Sequence, residues 1–438
     1  MSSIGQRHFA LAPRRTLAVA GVTALAIALL TACGTKHHAA ALAGSLGING
    51  GTASSVSSPP ASTSAPAVAP ASLTVSPADG ASEVNPTAPI TVTAAGGTID
   101  TVALASSSGA AVAGALSPDK TTWTAAEPLG YGRSYTLNAA AVNADGKTAA
   151  TTVTFTTLTP GNMTEPYINT TAGTDLTDGG VYGVGVVPVV HFDEPIDNEA
   201  AAEKALVVTT VPPVTGSWYW ADDQNVHWRP QNYYASGTKV TVSADVYGVE
   251  VGPGLYGQSD VSKSFTIGAK QVSIADDTTH VVSVYVNDQL VRQMPTSMGK
   301  GGYATGSDGQ QISFYTPSGT YTVLDKHPSV VMDSSTYGLP VNAPGGYRET
   351  IYNATRISTD GIYLHELDNT VWAQGNTDTS HGCLNLNQAN AIWFQNMAQP
   401  GDPVQVLHTG GAPLALWQNG DWTLTWAQWQ AGSALAAH

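Results

Sequence analysis

The chain has 438 residues, of which 42% are hydrophobic and only 11% are charged, and its formal net charge at pH 7 is −15. With so few basic side chains, an extended footprint on nucleic acid is not expected, so the composition argues against a nucleic-acid partner. The length is sufficient for several domains, each with a hydrophobic core of its own.

The first 33 residues have the organisation of an export signal. Arg7, Arg14 and Arg15 precede an apolar run over residues 17–30, which is too short for an ordinary membrane span. The run leads into Leu-Thr-Ala-Cys, which ends at Cys33 and resembles the lipobox of bacterial lipoproteins. That resemblance implies a diacylated Cys33 that anchors the protein to the outer face of the cell membrane, facing the cell wall. A plain signal peptide with an incidental cysteine is the alternative.

Residues 34–71 consist mainly of Ala, Ser, Gly, Thr and Pro and contain almost no large apolar side chains. Such a segment cannot bury a hydrophobic core, so we expect a flexible tether.

Short runs rich in Val and Thr, separated by Gly, Pro, Asp and Asn, then continue to residue 268. This pattern is typical of antiparallel strands in a β-sandwich. The stretch divides into two blocks, residues 72–159 and 160–268. Each block ends with a strand of Tyr or Val with Thr, then a turn-rich gap, then a strand that carries Phe and Thr. We therefore predict two immunoglobulin-like β-sandwiches in tandem, with Trp123 in the core of the first.

The second block also carries a cluster of large aromatic side chains. These residues could stack on sugar rings, although the core of a small sandwich needs such side chains in any case. We favour core packing, which makes the two modules a spacer between the membrane and the rest of the chain. The cluster comprises Trp218, Tyr219, Trp220, Trp228, Tyr233 and Tyr234.

A third domain is expected over residues 269–408, with a mixed but mainly β fold. Asn287 and Asp288 separate two strand-like runs and predict a tight hairpin turn. Strands dominate as far as Cys383, and residues 387–397 then read as a helix. The last strand is predicted over residues 403–407. Within this helix, Ala391, Ile392, Phe394 and Met397 are apolar.

Residues 380–385 read Ser-His-Gly-Cys-Leu-Asn and hold the only cysteine outside the export signal. A thiol becomes a strong nucleophile when a neighbouring base favours its thiolate. His365 ends an upstream apolar run that predicts a buried strand, and it is the candidate base. Gly382 allows a tight backbone path, so that the amides of Gly382 and Cys383 could face a developing oxyanion. Together these features predict an acyl-transfer site.

Two other interpretations of the same residues remain. A lone cysteine is often a small, inert core residue, but the polar surroundings of Cys383 count against this. His365, His381 and Cys383 could instead bind zinc, although the close ligand pairs typical of zinc sites are missing. We therefore expect no metal and no cofactor.

The motif residues resemble the L,D-transpeptidases of bacterial cell-wall synthesis. The family signature, a histidine followed at a distance by Ser/Thr-His-Gly-Cys-x-Asn, is met by His365 and residues 380–385. Residues 316–321 are similar to the family's Thr-Pro-x-Gly-x-aromatic turn, and residues 294–300 and 332–338 resemble its actinobacterial branch. The resemblance implies catalytic roles for Cys383, His365, His381 and Gly382, and substrate binding by Tyr347, Met332, Ser380 and Asn385.

The same resemblance implies the reaction. The thiolate attacks the third residue of a tetrapeptide donor stem, D-alanine leaves, and the side-chain amine of a diamino acid on an acceptor stem resolves the thioester into a crosslink. Backbone amides around residues 381–383 and the Tyr347 hydroxyl would stabilise the oxyanion. Met332 and Tyr347 would line a loop over the donor, while Ser380 and Asn385 would fix the turn. Carbapenems would acylate Cys383.

Three alternatives to a transpeptidase remain at this point. The same site could use water as acceptor, which makes an L,D-carboxypeptidase, or it could use a protein amine and attach proteins to the wall. The chain could also be a non-catalytic lipoprotein that binds the wall through its tandem sandwiches.

Two stretches differ from the usual family pattern. Glu366 follows the candidate base, where relatives commonly have a small residue. Either its backbone carbonyl orients the imidazole, or its carboxylate reaches His365 and favours an ion pair with the thiolate. The segment over residues 301–311 is also longer than in close relatives, which predicts a different access loop.

Residues 409–438 carry Trp417, Trp422, Trp426 and Trp429. The last three recur at helical or near-helical spacing, which is typical of a packing stripe. We expect this extension to fold back on the third domain and brace it, with a free sugar-binding tail as the alternative.

Overall fold

The computed structural model describes residues 70–436. The predicted export signal with Cys33, and the tether as far as residue 69, lie outside the described residues. In the described part of the chain, no helix combines the length and apolarity that a membrane crossing requires.

The first sandwich packs two four-stranded sheets, with strand orders β1-β2-β6-β5 and β4-β3-β7-β8. Every second residue of the strand that starts at Ser134 is buried, as expected for a strand with one face on the core. Trp123 and Leu137 lie in that core, which confirms the predicted anchor. The strands are β1 (Ser72–Ser76), β2 (Thr91–Ala95), β3 (Thr98–Ser106), β4 (Ala111–Val112), β5 (Gly114–Leu116), β6 (Thr122–Ala125), β7 (Ser134–Val142) and β8 (Thr148–Thr156).

The second sandwich has sheets in the orders β10-β12-β15-β14 and β11-β19-β16-β13, with a small third sheet, β17-β18-β9. Its elements are β9 (Asn162–Thr164), β10 (Pro166–Thr170), β11 (Gly180–Tyr182), β12 (Pro188–Phe192), α1 (Glu199–Lys204), β13 (Leu206–Val211), β14 (Gly216–Trp220), β15 (Asn225–Pro230), β16 (Lys239–Ala244), β17 (Glu250–Gly252), β18 (Leu255–Gly257) and β19 (Val261–Ile267).

Some residues of the aromatic cluster pack in the core of the second sandwich, and others contact the C-terminal extension. Trp218, Trp220, Trp228 and Tyr234 are core residues, so the expected packing role is confirmed for these four. Tyr219 is different, because it stacks on Trp429 of the C-terminal extension with ring centroids 4.9 Å apart.

Hydrogen bonds join the two sandwiches directly. The Tyr131 hydroxyl of the first module donates to the carbonyl of Gly257 (2.8 Å) and accepts from the amide of Gly248 (2.8 Å). The Tyr247 hydroxyl of the second module donates to the carbonyl of Leu129 (2.6 Å). Reciprocal bonds of this kind fix the orientation of one module on the other.

The third domain contains two larger sheets that share one core, together with a two-stranded sheet, β23-β24. The first has the order β22-β21-β20-β30-β25 and the second the order β26-β27-β28-β29. Their elements are β20 (Gln271–Asp276), β21 (Val281–Val286), β22 (Gln289–Pro295), β23 (Tyr303–Thr305), β24 (Gln311–Ser313), β25 (Gly319–Thr322), β26 (Asp325–Asp333), β27 (Arg348–Arg356), β28 (Tyr363–Glu366), β29 (Leu384–Leu386), α2 (Gln388–Met397) and β30 (Pro403–Leu407), with 3-10 turns at Ser334–Tyr337, Asp368–Thr370 and Leu416–Gln418.

The predicted hairpin and helix are both present. Asn287 and Asp288 have φ of 49° and 64°, as a tight two-residue hairpin turn requires, and they connect β21 to β22. The helix α2 begins after Asn387, whose side chain accepts from the amide of Asn390.

Only some of the apolar side chains of α2 are buried. Ala391 and Phe394 are buried, but Ile392 and Met397 are exposed. Positions 391 and 394 are three residues apart and share one side of the helix. Position 392 lies about 100° further round, where no other element covers it.

The C-terminal extension contacts the third domain, as expected, and it contacts the second sandwich as well. Asn419 donates from Nδ2 to the carbonyls of Thr322 and Ile357, both at 2.8 Å, which ties the extension to the third domain. The helix α3 (Trp426–Ala431) then packs on the second sandwich. Its Trp429 is fully buried and donates from Nε1 to the carbonyl of Ser217 (2.9 Å).

A buried cation holds the tryptophans of this extension in place. The guanidinium carbon of Arg229, on β15, lies 4.7 Å from the ring centroids of both Trp422 and Trp429, and 5.5 Å from that of Trp426. Its Nη2 also donates to the carbonyl of Leu424 (2.8 Å). Cation–π contacts in a desolvated setting are worth roughly 2 kcal/mol each, so this cluster makes the extension an integral part of the fold.

Candidate active site

Two adjacent strands bring the predicted base and nucleophile to one cavity. The strands β28 and β29 pair in parallel, with Leu364 opposite Leu384 and His365 opposite Asn385. Cys383 immediately precedes β29, so the thiol and the imidazole reach the same edge of the sheet. Both residues line a cavity of about 730 Å³.

The imidazole of His365 is held in one tautomer. The residue is buried, and its Nδ1 lies 3.0 Å from the carbonyl oxygen of Glu366. A carbonyl oxygen can only accept, so Nδ1 carries the hydrogen and Nε2 is left as a free acceptor. Burial lowers the pKa of His365 to about 4, so the ring is neutral at pH 7.

The thiol of Cys383 is also neutral in this state. It donates to the carbonyl of Gly361 (3.6 Å) and packs beside Ile351, Met332 and Tyr363. Burial raises the pKa of the Cys383 thiol to about 12, although the backbone amide of Tyr363 opposes this shift. The resting site is therefore a thiol beside a neutral imidazole, and the proton has to move when substrate is bound.

The side chain of Glu366 faces away from the base. Of the two roles considered for this residue, orientation of the imidazole by its backbone carbonyl and an effect of its carboxylate on His365, only the first fits. Its Oε2 accepts from Nδ2 of Asn353 (2.5 Å), and its Oε1 lies 3.4 Å from Nε2 of Gln388. Only the backbone carbonyl of Glu366 contacts His365. The ion-pair hypothesis for this carboxylate is therefore wrong.

Replacing Glu366 with glutamine should leave catalysis almost unchanged. The amide oxygen can still accept from Asn353, and the carbonyl that orients His365 is retained. We expect the rate constant of Cys383 acylation to stay within about twofold of wild type and its apparent pKa values to stay within roughly 0.3 units. Stopped-flow acylation from about pH 3 to about pH 9 measures both, because the rate should fall near the His365 pKa of about 4. A shift of a full pKa unit would show that the carboxylate does act on the imidazole.

Hydrogen bonds hold the loop before the nucleophile in one conformation. Ser380 Oγ donates to the carbonyl of Cys383 (2.7 Å) and accepts from the amide of Gly382 (3.0 Å). Thr316 Oγ1 donates to the carbonyl of Gly382 (2.8 Å). Gly382 has φ of 135°, which a side chain would strain. Ser380 thus fixes the turn as the sequence analysis expected.

The expected oxyanion role of the Gly382 amide is wrong for this state. Its hydrogen is donated to Ser380 Oγ and is not directed at the cavity. The hydroxyl belongs to the same turn as this amide, so the bond between them is local. The amides of His381 and Cys383 and the Tyr347 hydroxyl are left as candidate oxyanion donors.

The His381 side chain acts as a structural support and not as a base. Its Nε2 accepts from Lys300 Nζ (2.9 Å), and the ring stacks on Tyr347 with centroids 4.6 Å apart. Phe314 meets the ring edge-on at 4.7 Å. Burial and the nearby Lys300 charge lower the pKa of His381 to about 4, although a hydrogen bond to the carbonyl of Gly345 opposes them.

Tyr347 and Met332 both line the cavity that contains Cys383 and His365. Burial, and a hydrogen bond with the neighbouring Tyr337, raise the pKa of the Tyr347 hydroxyl well above its ordinary value. The hydroxyl therefore stays protonated, and rotation about its C–O bond can redirect its hydrogen from Tyr337 to an anion. Met332 is half-buried and packs with Cys383 against Ile351.

Asn385 was expected to fix the turn, but only its backbone does so. Its amide donates to the carbonyl of Ser297 (2.9 Å). Neither Nδ2 nor Oδ1 of its buried side chain has a partner among the described residues, although Asn385 lines the cavity. A buried amide without partners is costly, so this side chain is available for a polar group of the substrate.

Several residues of the site were missed by the sequence analysis. Thr316 lies in a stretch that carried the family resemblance, but its bond to the nucleophile loop depends on a contact distant in sequence. The same applies to Lys300. Gly361, the partner of the thiol, and Trp417, at the cavity wall, belong to no recognised motif.

The zinc interpretation is not supported by this geometry, because the ammonium of Lys300 occupies the free nitrogen of His381. Within residues 70–436, one group could hold a metal ion by its spacing: Asp277, His280 and Asp378 have ligand atoms within 4.8 Å of one another. Burial and the neighbouring Asp378 raise the pKa of Asp277 to about 7. A hydrogen bond with the Asp378 side chain contributes to this shift, so the neighbouring carboxylate favours the protonated form of Asp277.

Two family models match the chain. The model described as the L,D-transpeptidase catalytic domain matches residues 270–406, and the model described as a bacterial Ig domain matches residues 81–250. The second match extends over parts of both sandwiches.

Curated relatives match over most of the chain. L,D-transpeptidase 2 of Mycobacterium tuberculosis is 44% identical over 365 residues, which cover 83% of this chain and 85% of that protein. L,D-transpeptidase 5 of the same species is 38% identical and covers 83% of this chain and 77% of that protein. A solved structure of the L,D-transpeptidase LdtMt1 in complex with imipenem is 30% identical, with a TM-score of 0.46, and covers 55% of this chain and 99% of that chain.

Proposed function

This chain belongs to the L,D-transpeptidase family and crosslinks peptidoglycan, and on that basis we propose that Cys383 is its nucleophile and His365 its general base. One observation carries the assignment. The Glu366 carbonyl fixes the hydrogen of His365 on Nδ1, and so leaves a neutral Nε2 as proton acceptor in the cavity that also contains the thiol.

Acylation begins when a donor tetrapeptide places the carbonyl carbon of its third residue at Cys383. The thiol proton moves to Nε2 of His365, and the sulfur forms a bond to that carbon. The tetrahedral oxyanion accepts hydrogen bonds from the amides of His381 and Cys383 and from the Tyr347 hydroxyl. The C–N bond to D-alanine then breaks, and the imidazolium returns its proton to the leaving amine. A thioester on Cys383 remains.

Transfer to the acceptor reverses these roles. The side-chain amine of a diamino acid on a second stem attacks the thioester carbon, and His365 accepts a proton from that amine. The C–S bond breaks and the sulfur recovers a proton from the imidazolium. The products are a crosslink between third residues and the free thiol. The unpartnered amide of Asn385 is available to bind a polar group of either stem.

Mass spectrometry tests this assignment directly. The chain from residue 34 onward is mixed with a disaccharide tetrapeptide, and the intact protein and the products are weighed. We expect an acyl adduct, which digestion maps to the peptide with Cys383, and a crosslinked dimer that lacks one D-alanine. Tripeptide as the only product would identify an L,D-carboxypeptidase. No adduct and no product would favour the wall-binding lipoprotein instead.

Three further properties of the protein belong to the same proposal. The apolar run before Cys33 supports lipid attachment there, with the protein on the outer face of the membrane. The hydrogen bonds between the two sandwiches support their use as a semi-rigid spacer between that anchor and the wall. A relative has been solved with imipenem, which supports acylation of Cys383 by carbapenems as well.

A further inference from the structure

We propose that Trp417 forms a saccharide-binding platform at the wall of the active-site cavity, where its indole stacks on the glycan that the donor stem carries. The proposal rests on the function assigned to the cavity above, and it adds a sugar subsite to a site otherwise defined by the stem peptide.

Trp417 differs from the other tryptophans of the extension in its exposure. Its exposed fraction is 68%, whereas Trp429 is fully buried. Trp422 and Trp426 are partly buried and lie against the Arg229 guanidinium. An exposed indole presents a large apolar face to water and contributes little to the stability of the fold. Its position is therefore better explained by ligand binding than by packing.

The turn that carries Trp417 is held rigidly. Its backbone carbonyl accepts from Thr359 Oγ1, and the neighbouring Gln418 donates from Nε2 to Asp360 Oδ2 (2.6 Å). The carbonyl of Gln418 accepts from Ser358 Oγ (2.9 Å). A flat side chain on a fixed turn loses little conformational entropy when a ligand stacks on it.

The turn also lies on the thiol side of the cavity. Trp417 and Gln418 line the same cavity as Cys383. Gln418 forms a hydrogen bond with Asp360. Gly361, which follows Asp360 in the chain, accepts the hydrogen bond from the thiol. When the third residue of a donor stem is at the sulfur, the sugar end of that stem begins about three residues away. An extended chain spans roughly 10 Å over that distance.

Charge favours a neutral ligand over a carboxylate at this position. The carboxylate of Asp360 lies beside the Trp417 turn, and no lysine or arginine is among the residues that line the cavity. The acidic groups of a stem peptide would be repelled here. The apolar C–H face of a pyranose carries no charge and packs on an indole, while its hydroxyl groups remain hydrated.

The test compares two donors, a disaccharide tetrapeptide and the same tetrapeptide without sugar, on the chain from residue 34 onward. The measured quantity is the ratio of their second-order rate constants for Cys383 acylation. Trp417→Ala should lower this ratio by about five- to tenfold, which is the effect of losing roughly 1 to 1.4 kcal/mol of binding. Trp417→Phe keeps an aromatic face, so its ratio of rate constants should stay close to that of wild type.

A matched control is available in the same domain. Trp372 is exposed by 70% but does not line the cavity, so Trp372→Ala should leave the ratio unchanged. Equal losses for both donors in Trp417→Ala, or no loss for either, would overturn the sugar subsite. Failure of the proposed catalytic function gives a different result, because wild-type protein would then form no thioester with the sugar-free tetrapeptide.

Discussion

Replacing Cys383 with alanine abolishes the thioester and the crosslinked product, with an expected loss of at least roughly 10⁴-fold in the rate of D-alanine release. No other cysteine is present among residues 70–436, so the covalent intermediate has no alternative attachment point. The isosteric Cys383→Ser should also be inactive, with less than about 1% of the wild-type rate. A hydroxyl of far higher pKa than a thiol is a much poorer nucleophile beside the same neutral base.

The fold should survive these substitutions, which allows the loss to be assigned to chemistry. The sulfur packs at the edge of a small cluster with Ile351 and Tyr363, so truncation to alanine costs about 1 kcal/mol of unfolding free energy. Thermal unfolding measures this. Ser313→Ala, which removes a hydroxyl from another part of the cavity wall, is the matched control and should stay within about twofold of wild type. An acyl adduct on Cys383→Ala would disprove the assignment of the nucleophile.

Replacing His365 with glutamine should slow acylation by about 10²- to 10⁴-fold at pH 7, the range expected for a lost general base. The thiol pKa of about 12 leaves roughly one thiolate in 10⁵ molecules at that pH, so a nearby proton acceptor is required. In wild type, the base is neutral above its pKa of about 4, so the acylation rate should fall as the pH drops through that value.

The pH profile separates a lost base from a merely disturbed site. Without His365, only pre-formed thiolate reacts, so the rate should rise about tenfold per pH unit from pH 7 upward. Wild type should show a plateau over the same interval. Glu366→Gln, which alters the adjacent residue and keeps its carbonyl, is the matched control. A His365→Gln variant that keeps the plateau at a wild-type rate would place the base on another residue.

The motifs of this chain could be assigned from the sequence because each of them depends on residues that are close together in the chain. Alternation of Val and Thr with polar residues predicts strands, and Asn287–Asp288 predicts a hairpin, since these patterns depend on neighbouring residues alone. Trp123 was placed in a core for the same reason. The pairing of Cys383 with His365 was predicted from residue types and from the family resemblance, and the parallel register of β28 and β29 brings the two residues together.

The helix α2 shows what such reasoning leaves open. Its first residue follows from the cap at Asn387, a local feature. Which of its apolar side chains are buried depends on the elements that cover it, and Ile392 and Met397 remain 40% and 37% exposed. Similarly, the direction of the Glu366 carboxylate was undecidable until its partner Asn353, on the adjacent strand, was known.

By itself, then, the sequence determined the succession of two sandwiches and a third, mainly β domain, and it indicated Cys383 and His365 as the candidate nucleophile and base. These follow from periodicity, turn residues and a six-residue motif. Only the tertiary structure decided that the extension spans two domains through Arg229 and Asn419, that Ser380 takes the Gly382 amide, and that Trp417 stands exposed at the cavity. Each of these depends on contacts between residues far apart in the chain, and such contacts are set by how whole domains pack and not by any local pattern.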